Sequence, residues 1–406
     1  MTGMGMSKRR LLSWARVVTG IMHGSRAFTG PFQASIELTN RCNIRCIHCF
    51  FYSPYVERPN FFALRRARQL SGELPDVHDL RKLQTLDADS GVTKNIIDTL
   101  VKMGTRKFFF SGSGEPLLHK DIMDFIGRAK YSGSACIVYT NGTLLDHSKI
   151  DKLIDLKCNE LKITTLAGSR DVYLKTHPGI QYDAFDNLRE NLMYLAKQKA
   201  EAGAQYPEVS LHYIIIPQNC DDIENFVEFA SQVQASRVIF RPVDTIGDPG
   251  LKEGIMLTGD QARSVKKQLV EMQAYLDSRR IENNLSHFLK TFRGNIDTTE
   301  LYRVIPCYYG WLGVRFDVAG HAYACCKCYE PMGNIYEQDF RTIWYGSSYR
   351  TFRYESLRIN RGGKRVDGCE CNSCPHFTAN LLVFNSLHPL KSRSLTLKRL
   401  SYADAV

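Results

Sequence analysis

Residues 37–53, "ELTNRCNIRCIHCFFYS", place Cys42, Cys46 and Cys49 in one short loop directly after "QASIELT" (33–39), whose period-two pattern reads as a strand. A structural zinc site takes four ligands, and disulfides take cysteines in pairs. Three thiolates around a metal leave one coordination position open, and an open position is where chemistry happens. The loop therefore predicts a reactive metal centre at the end of a first strand.

Outward from this loop, strand-like and helix-like segments alternate to about residue 245. "VTKNIIDTLVKMG" (92–104) carries Ile96, Ile97, Leu100 and Met103 on one stripe, with Gly104 as a helix stop. Aromatic "KFFFSGSGEP" (107–116), "DIMDFIGRAKYSG", "SACIVYTNGT", "HSKIDKLIDL" and "NELKITTLAG" continue the series. A longer helix follows, with Phe185, Leu188, Leu192 and Leu195 in line. "EVSLHYIIIPQN" reads as a strand, and "DDIENFVEFASQV" as a helix opened by Asp221, with Glu224 at capping-box spacing. "SRVIFRPVD" closes six βα-type units. These predict an α/β fold, a partial (β/α)6 TIM-like barrel, whose active site lies on the loops after the strands. The expected organisation is a basic segment at 1–32, the barrel at 33–257 with an insertion at 54–91 placed as a lid would be, and linking helices at 258–306. A small cysteine-rich domain at 307–376 and a basic tail at 377–406 complete it. Beyond 258 the alternation is expected to stop, at a helix capped by Thr258 and Gln261.

Thirteen cysteines, several of them tightly clustered, argue for thiolate–metal ligation in a reducing compartment rather than for a secreted disulfide framework. With no stretch long enough to span a bilayer, the expected location is the cytoplasm. Cys136, Cys158 and Cys220 lie on strand or helix faces and read as core. The net charge of +11 sits mostly at the ends. Lys8, Arg9, Arg10, Arg16 and Arg26 face no acid in the first thirty residues, and Lys391, Arg393, Lys398 and Arg399 face Asp404 alone. A basic groove for specific nucleic-acid binding is therefore not expected. The tails read as solubilising ends, or as a weak contact with an anionic membrane surface or an acidic partner.

The C-x3-C-x2-C spacing of Cys42, Cys46 and Cys49 resembles the radical S-adenosylmethionine (SAM) superfamily. The resemblance implies a [4Fe–4S] cluster on those three cysteines, its fourth iron chelated by SAM. It further implies cofactor contacts at Ser113, Gly114 and Glu115 of "SGSGEP", at Asn141 of "YTNGT" and at Thr164 of "ITTLAG". "IIIPQN" would lie along the adenine, and His48 would pack near SAM. Ser113 stands where the family usually has glycine.

A second cysteine region, Cys307-x12-Gly320-x4-Cys325 followed by "CECNSC" (369–374), resembles the SPASM/Twitch extension of that superfamily. The resemblance implies at least one auxiliary [4Fe–4S] cluster on Cys307, Cys325, Cys371 and Cys374. Cys326, Cys328 and Cys369 remain as substitutes, and a zinc site is the competing reading. The implied reaction is reductive SAM cleavage to a 5′-deoxyadenosyl radical, then hydrogen abstraction from a substrate C–H bond. The expected outcome is oxidation or remodelling of a small polar, sugar- or aminocyclitol-like metabolite, with the auxiliary cluster as electron acceptor and flavodoxin or ferredoxin as donor. One alternative is a maturase of ribosomal peptides, although the residues before the first strand leave no room for a winged-helix peptide domain. Another is a non-catalytic Fe–S or zinc-binding protein. Arg241, Asp244, His212 and Asp317 are unranked candidates near the substrate.

Overall fold

The computed structural model of the chain describes residues 8–49, 51–55, 86–243, 253–291, 302–361, 366, 368–369, 371 and 374–389. The central part of the 54–91 insertion and Asp244 lie outside them. Helix α1 (Lys8–His23) precedes the first strand. Six strands then follow: β1 (Gln33–Ile36), β2 (Lys107–Phe110), β3 (Ala135–Thr140), β4 (Glu160–Thr164), β5 (Glu208–Ile215) and β6 (Arg237–Pro242). Each pairs in parallel with the next in chain order, the arrangement of an open (β/α)6 barrel.

The helices between them form where the apolar stripes require. Helix α2 (Ser90–Met103) buries Ile96, Ile97 and Leu100, and stops at Gly104, whose φ of 99° suits a residue without Cβ. Helices α3 (Ile122–Tyr131), α4 (His147–Asp155) and α5 (Arg170–Thr176) follow, and α6 (Ala184–Glu201) buries the four residues of its stripe, Phe185, Leu188, Leu192 and Leu195. Helix α7 (Ile223–Gln232) corrects one expectation. Its N-cap is Asp222 rather than Asp221, and the Asp222 carboxylate caps nothing there. It accepts from Gly168 N (2.6 Å) and Ser169 Oγ (2.8 Å), so it satisfies the start of α5 instead.

The alternation runs one step further than the sequence suggested. After α8 (Gly259–Ser278), opened by the expected Thr258–Gln261 capping box, β7 (Glu282–Asn283) pairs in parallel with β6, and α9 (Leu285–Thr291) follows. The C-terminal region is joined to the barrel through its sheet. Strand β8 (Gly313–Phe316) pairs in parallel with β1, and β9 (His321–Tyr323) and β10 (Gly333–Asn334) continue antiparallel. Among the described residues the ten strands form one sheet, in the order β10-β9-β8-β1-β2-β3-β4-β5-β6-β7.

Among the described residues three helices pack the C-terminal region: α10 (Phe340–Tyr345), α11 (Ser347–Ser356) and α12 (Phe377–Leu387). At its centre Arg353 is fully buried. Its Nε donates to Gly310 O (2.8 Å) and its Nη1 to Trp344 O (3.0 Å), and the guanidinium lies 4.5 Å over the Trp344 ring. Burial lowers its pKa to about 10. Replacing it by leucine leaves two buried carbonyls without a donor, at about 1–3 kcal/mol each. We expect Arg353→Leu to lose about 2–5 kcal/mol in chemical denaturation; an unchanged midpoint would contradict the role given to this side chain.

Candidate functional site

The cysteine loop is tethered at both ends. Thr39 Oγ1 accepts from Arg41 N (3.0 Å), Arg41 pairs with Asp87, and Asn40 Oδ1 accepts from Leu86 N (2.9 Å). Further on, Ile47 N donates to Thr176 O (3.0 Å) at the end of α5. Ile47 itself packs with Leu166, Ile216, Val243 and Ile255 in a small apolar cluster that Cys46 touches. The tops of β4, β5 and β6 thus close behind the loop.

The "SGSGEP" turn lies directly against this loop. A Cβ on Gly114 would stand 2.3 Å from Arg41 O and 2.5 Å from Thr39 O, so only glycine fits. Ser113, in place of the usual glycine, has a role of its own: its N (2.9 Å) and its Oγ both donate to the fully buried Glu37 carboxylate at the end of β1. Glu115 is buried too, and accepts from Thr140 Oγ1 (2.7 Å), Asn141 N (2.7 Å) and Leu117 N (3.1 Å). It wires this turn to the "TNGT" turn after β3. Burial pushes its pKa up to about 6. Asn141 in turn reaches the cysteine loop, its Nδ2 lying 3.0 Å from Asn43 Oδ1 and 3.9 Å from Cys42 Sγ.

These pieces enclose a cavity of about 490 Å³. Cys42, Cys46, Cys49, His48, Ser113, Gly114, Glu115, Asn141 and Thr164 all line it, whereas no residue of "IIIPQN" (214–219) does. The His48 imidazole is held uncharged, its pKa lowered to about 3 by burial and then by His177. The three thiols are soft donors, of the kind that ligate the separate irons of a cluster. Burial raises Cys42 to about 11, and it raises Cys46 and Cys49 as well, with further repulsion of Cys46 by Cys49 and Cys42. Thiolates packed this way need a metal's positive charge to exist together. Among the described residues no three His, Cys, Asp or Glu side chains are gathered tightly enough for a single metal ion.

The opposite wall comes from the C-terminal region: Arg315, Tyr323, Cys326, Lys327 and Tyr329. Behind it stand Cys307, Cys325, Cys371 and Cys374. Burial raises Cys325 far above its ordinary value, and all three of the others add repulsion. Donors surround these sulfurs. Tyr302 OH donates to Cys374 Sγ (2.9 Å), Asn380 Nδ2 to Tyr302 OH (2.8 Å), and Asn380 Nδ2 lies 3.7 Å from Cys307 Sγ. Backbone N–H groups of Lys327 (3.3 Å) and His376 (3.4 Å) point at Cys325 and Cys374. Tyr302 and Asn380 were not legible in the sequence, since nothing in their local spacing marks them as sulfur donors. Of the three spare cysteines, Cys328 and Cys369 pair as a disulfide, and Cys326 Sγ sits 3.4 Å from His376 Nε2.

The unranked candidates fare less well. His212, Arg241 and Asp317 stand outside the cavity lining. His212 is buried on β5, edge-on to Tyr139, and is held neutral by burial and then by Arg241. Asp317 binds the β8–β9 turn, accepting from His321 N (2.9 Å) and Tyr323 OH (2.9 Å).

Comparison with known proteins agrees with this geometry. The profile of the Radical SAM superfamily matches residues 36–230, and that of an iron–sulfur cluster-binding domain, SPASM, matches residues 307–375. An Fe-coproporphyrin III synthase of Methanosarcina barkeri is 23% identical over 325 residues, covering 76% of this chain and 72% of the relative. A PqqA peptide cyclase of Granulibacter bethesdensis is 25% identical over 217 residues, 53% of this chain and 48% of the relative. Among solved structures, Streptococcus suis SuiB bound to its precursor peptide SuiA superposes with a TM-score of 0.58 at 14% identity, covering 94% of this chain and 79% of that one. At that identity the likeness is one of fold alone.

Two expectations follow from the donors described. In reconstituted protein, Asn380→Leu and Tyr302→Phe each remove a dipole aimed at the C-terminal sulfurs, which disfavours added negative charge. The reduction potential of a cluster held there is expected to fall in both variants, in electrochemical titration followed by electron paramagnetic resonance; unchanged potentials would contradict the contact. The second concerns Glu115. Its native pKa lies above its unfolded value, so between about pH 4.5 and 6 the native state binds the extra proton, and this group's contribution to stability falls as pH rises through that window. The amount is about 2 kcal/mol. Denaturation of Glu115→Gln across that range is expected to lose this slope, and a retained slope would assign it elsewhere.

Proposed function

We propose, from the premise that the chain belongs to the radical SAM superfamily and carries a SPASM iron–sulfur domain, that it oxidises or remodels a C–H bond of a small polar, carboxylate-bearing substrate. In this reading Cys42, Cys46 and Cys49 hold the SAM-binding [4Fe–4S] cluster, and Cys307, Cys325, Cys371 and Cys374 hold an auxiliary one. A cluster held at the first site and reduced by one electron would supply the chemistry that splits SAM into methionine and a 5′-deoxyadenosyl radical able to take a hydrogen atom from the substrate. Ser113, Gly114, Glu115, Asn141, Thr164 and His48 shape the SAM side. The electron comes from an external donor of the flavodoxin or ferredoxin kind, and the clustered thiols suit the reducing cytoplasm.

One observation carries this reading: a single cavity has the N-terminal cysteine triad on one wall and Tyr323, Cys326, Lys327 and Tyr329 on the other, and Cys325 is the chain neighbour of Cys326 behind that second wall. A cluster on the C-terminal cysteines would place an electron acceptor behind the wall of that cavity. The carboxylate preference rests on Arg315 and Lys327 in that second wall. Among the described residues Arg315 makes one long hydrogen bond, to Glu37 at 3.5 Å, which leaves donors of its planar fork for a ligand. A second reading, a peptide maturase, is favoured by the similarity to a PqqA peptide cyclase; the carboxylate would then belong to a side chain or a terminus.

Anaerobically reconstituted protein with SAM and dithionite is expected to release 5′-deoxyadenosine, and Cys46→Ala to release none. Intact SAM in the parent would sink both enzyme readings. Deuterium carried into 5′-deoxyadenosine from labelled polyol acids or from labelled peptides separates them. Arg315→Lys keeps the charge and loses the fork, so it is expected to raise KM for the substrate while leaving substrate-free SAM cleavage unchanged.

A further inference from the structure

Helix α1 has two apolar faces and uses one. Val17 and Ile21 are buried in the main core, and Gly20 lies so close to Trp311 that a Cβ would stand 2.9 Å from the indole nitrogen. Leu11, Ala15 and Met22 recur at i, i+4 and i+11 on the opposite side, with Leu12 beside them. Leu11 is 53%, Leu12 57% and Met22 81% exposed, and Phe28 just beyond the helix is exposed too. A helix that has already buried one face has no internal reason to present a second apolar stripe to water.

The charges on this helix are arranged equally oddly. Lys8, Arg9 and Arg10 occupy its first turn, where the helix dipole is already positive and acids are the favourable residues; its first turn contains none. No acid occurs before Glu37, while Arg16 and Arg26 add to the cations. This arrangement is unfavourable within the chain and becomes favourable against an external anionic layer.

We infer that the outer face of α1 docks on an anionic lipid bilayer, with Leu11, Leu12 and Met22 entering the acyl boundary and the basic residues meeting the headgroups. Outward aliphatic side chains combined with cations and no acids match an interfacial helix. A nucleic acid would use the cations and leave the leucines in water, and a second copy of the chain would bring like charges together. The helix lies flat on the surface; among the described residues no helix is long and apolar enough to cross a membrane. This docking is independent of which substrate the cavity takes.

The test is co-sedimentation of full-length protein with vesicles of equal phosphatidylglycerol and phosphatidylcholine, or of phosphatidylcholine alone, at low and high salt. Binding is expected to the anionic vesicles only and to weaken with salt. The Leu11→Ser/Leu12→Ser/Met22→Ser variant is expected to bind at least about tenfold more weakly. Arg9→Gln/Arg10→Gln/Arg16→Gln is expected to lose about fivefold per cation and most of the salt dependence. Both keep their circular dichroism and the parent's SAM cleavage rate, so failure to dock is separable from failure to fold or to react. Equal binding to neutral vesicles, no binding to anionic ones, or variants that sediment like the parent would each overturn the inference. So would tighter binding, through the same residues, to duplex DNA or polyglutamate, or self-association through them in light scattering.

Discussion

The Glu37 carboxylate at the end of β1 is the contact on which the rest of the site depends. A fully buried carboxylate is costly unless it is paired and hydrogen-bonded. Here its partners come from elements far apart in the chain: Ser113 from the turn after β2, and Arg315 from β8. Satisfying one acid therefore fixes the "SGSGEP" turn against the cysteine loop and seats the C-terminal strand beside the first barrel strand. Gly112 shows how tight that seat is, since a Cβ there would come within 2.3 Å of the Glu37 side chain.

With β8 seated, the C-terminal cysteines stand behind the cavity wall opposite the N-terminal three. The two groups of thiols share one electrostatic problem. Burial raises Cys42, Cys46 and Cys49 in one set and Cys307, Cys325 and Cys374 in the other, and repulsion between thiols adds at Cys46 and Cys325, so either set would ligate only where a metal supplies positive charge. They differ in what surrounds them. The N-terminal set lines the cavity, with Asn141 Nδ2 and the Ile44 N–H near Cys42 and the Phe51 and Tyr52 N–H groups near Cys49. The C-terminal set is enclosed by Tyr302, Asn380 and two backbone N–H groups. A set that lines the cavity suits an exchangeable ligand, and a set enclosed behind its wall suits electron transfer at a tuned potential.

Much of this was legible because the relevant signals are local. The three-cysteine loop, the period-two strands and the apolar stripe of α6 each sit within a short window. The same holds for the Thr258–Gln261 cap. What escaped depends on contacts between distant segments. Residues 313–316 carry no mark of a strand that would join the barrel sheet, and β7 is only two residues long. Asp221 and Asp222 both look like caps; the choice was made by Gly168 and Ser169, some fifty residues earlier. Arg241 and His212 have the residue types of a substrate site, yet the register of β5 and β6 leaves them outside the cavity wall.

If Cys42, Cys46 and Cys49 hold one four-iron cluster and Cys307, Cys325, Cys371 and Cys374 another, the iron of the protein divides equally between the two sites. Iron and sulfide content with Mössbauer spectra, on anaerobically reconstituted parent and on the Cys42→Ala/Cys46→Ala/Cys49→Ala variant, tests it most directly. About eight irons are expected in the parent and about four in the variant, all in four-iron clusters. About four in the parent and almost none in the variant would contradict it, because the C-terminal cysteines would then hold no cluster and the cavity would lose its electron acceptor.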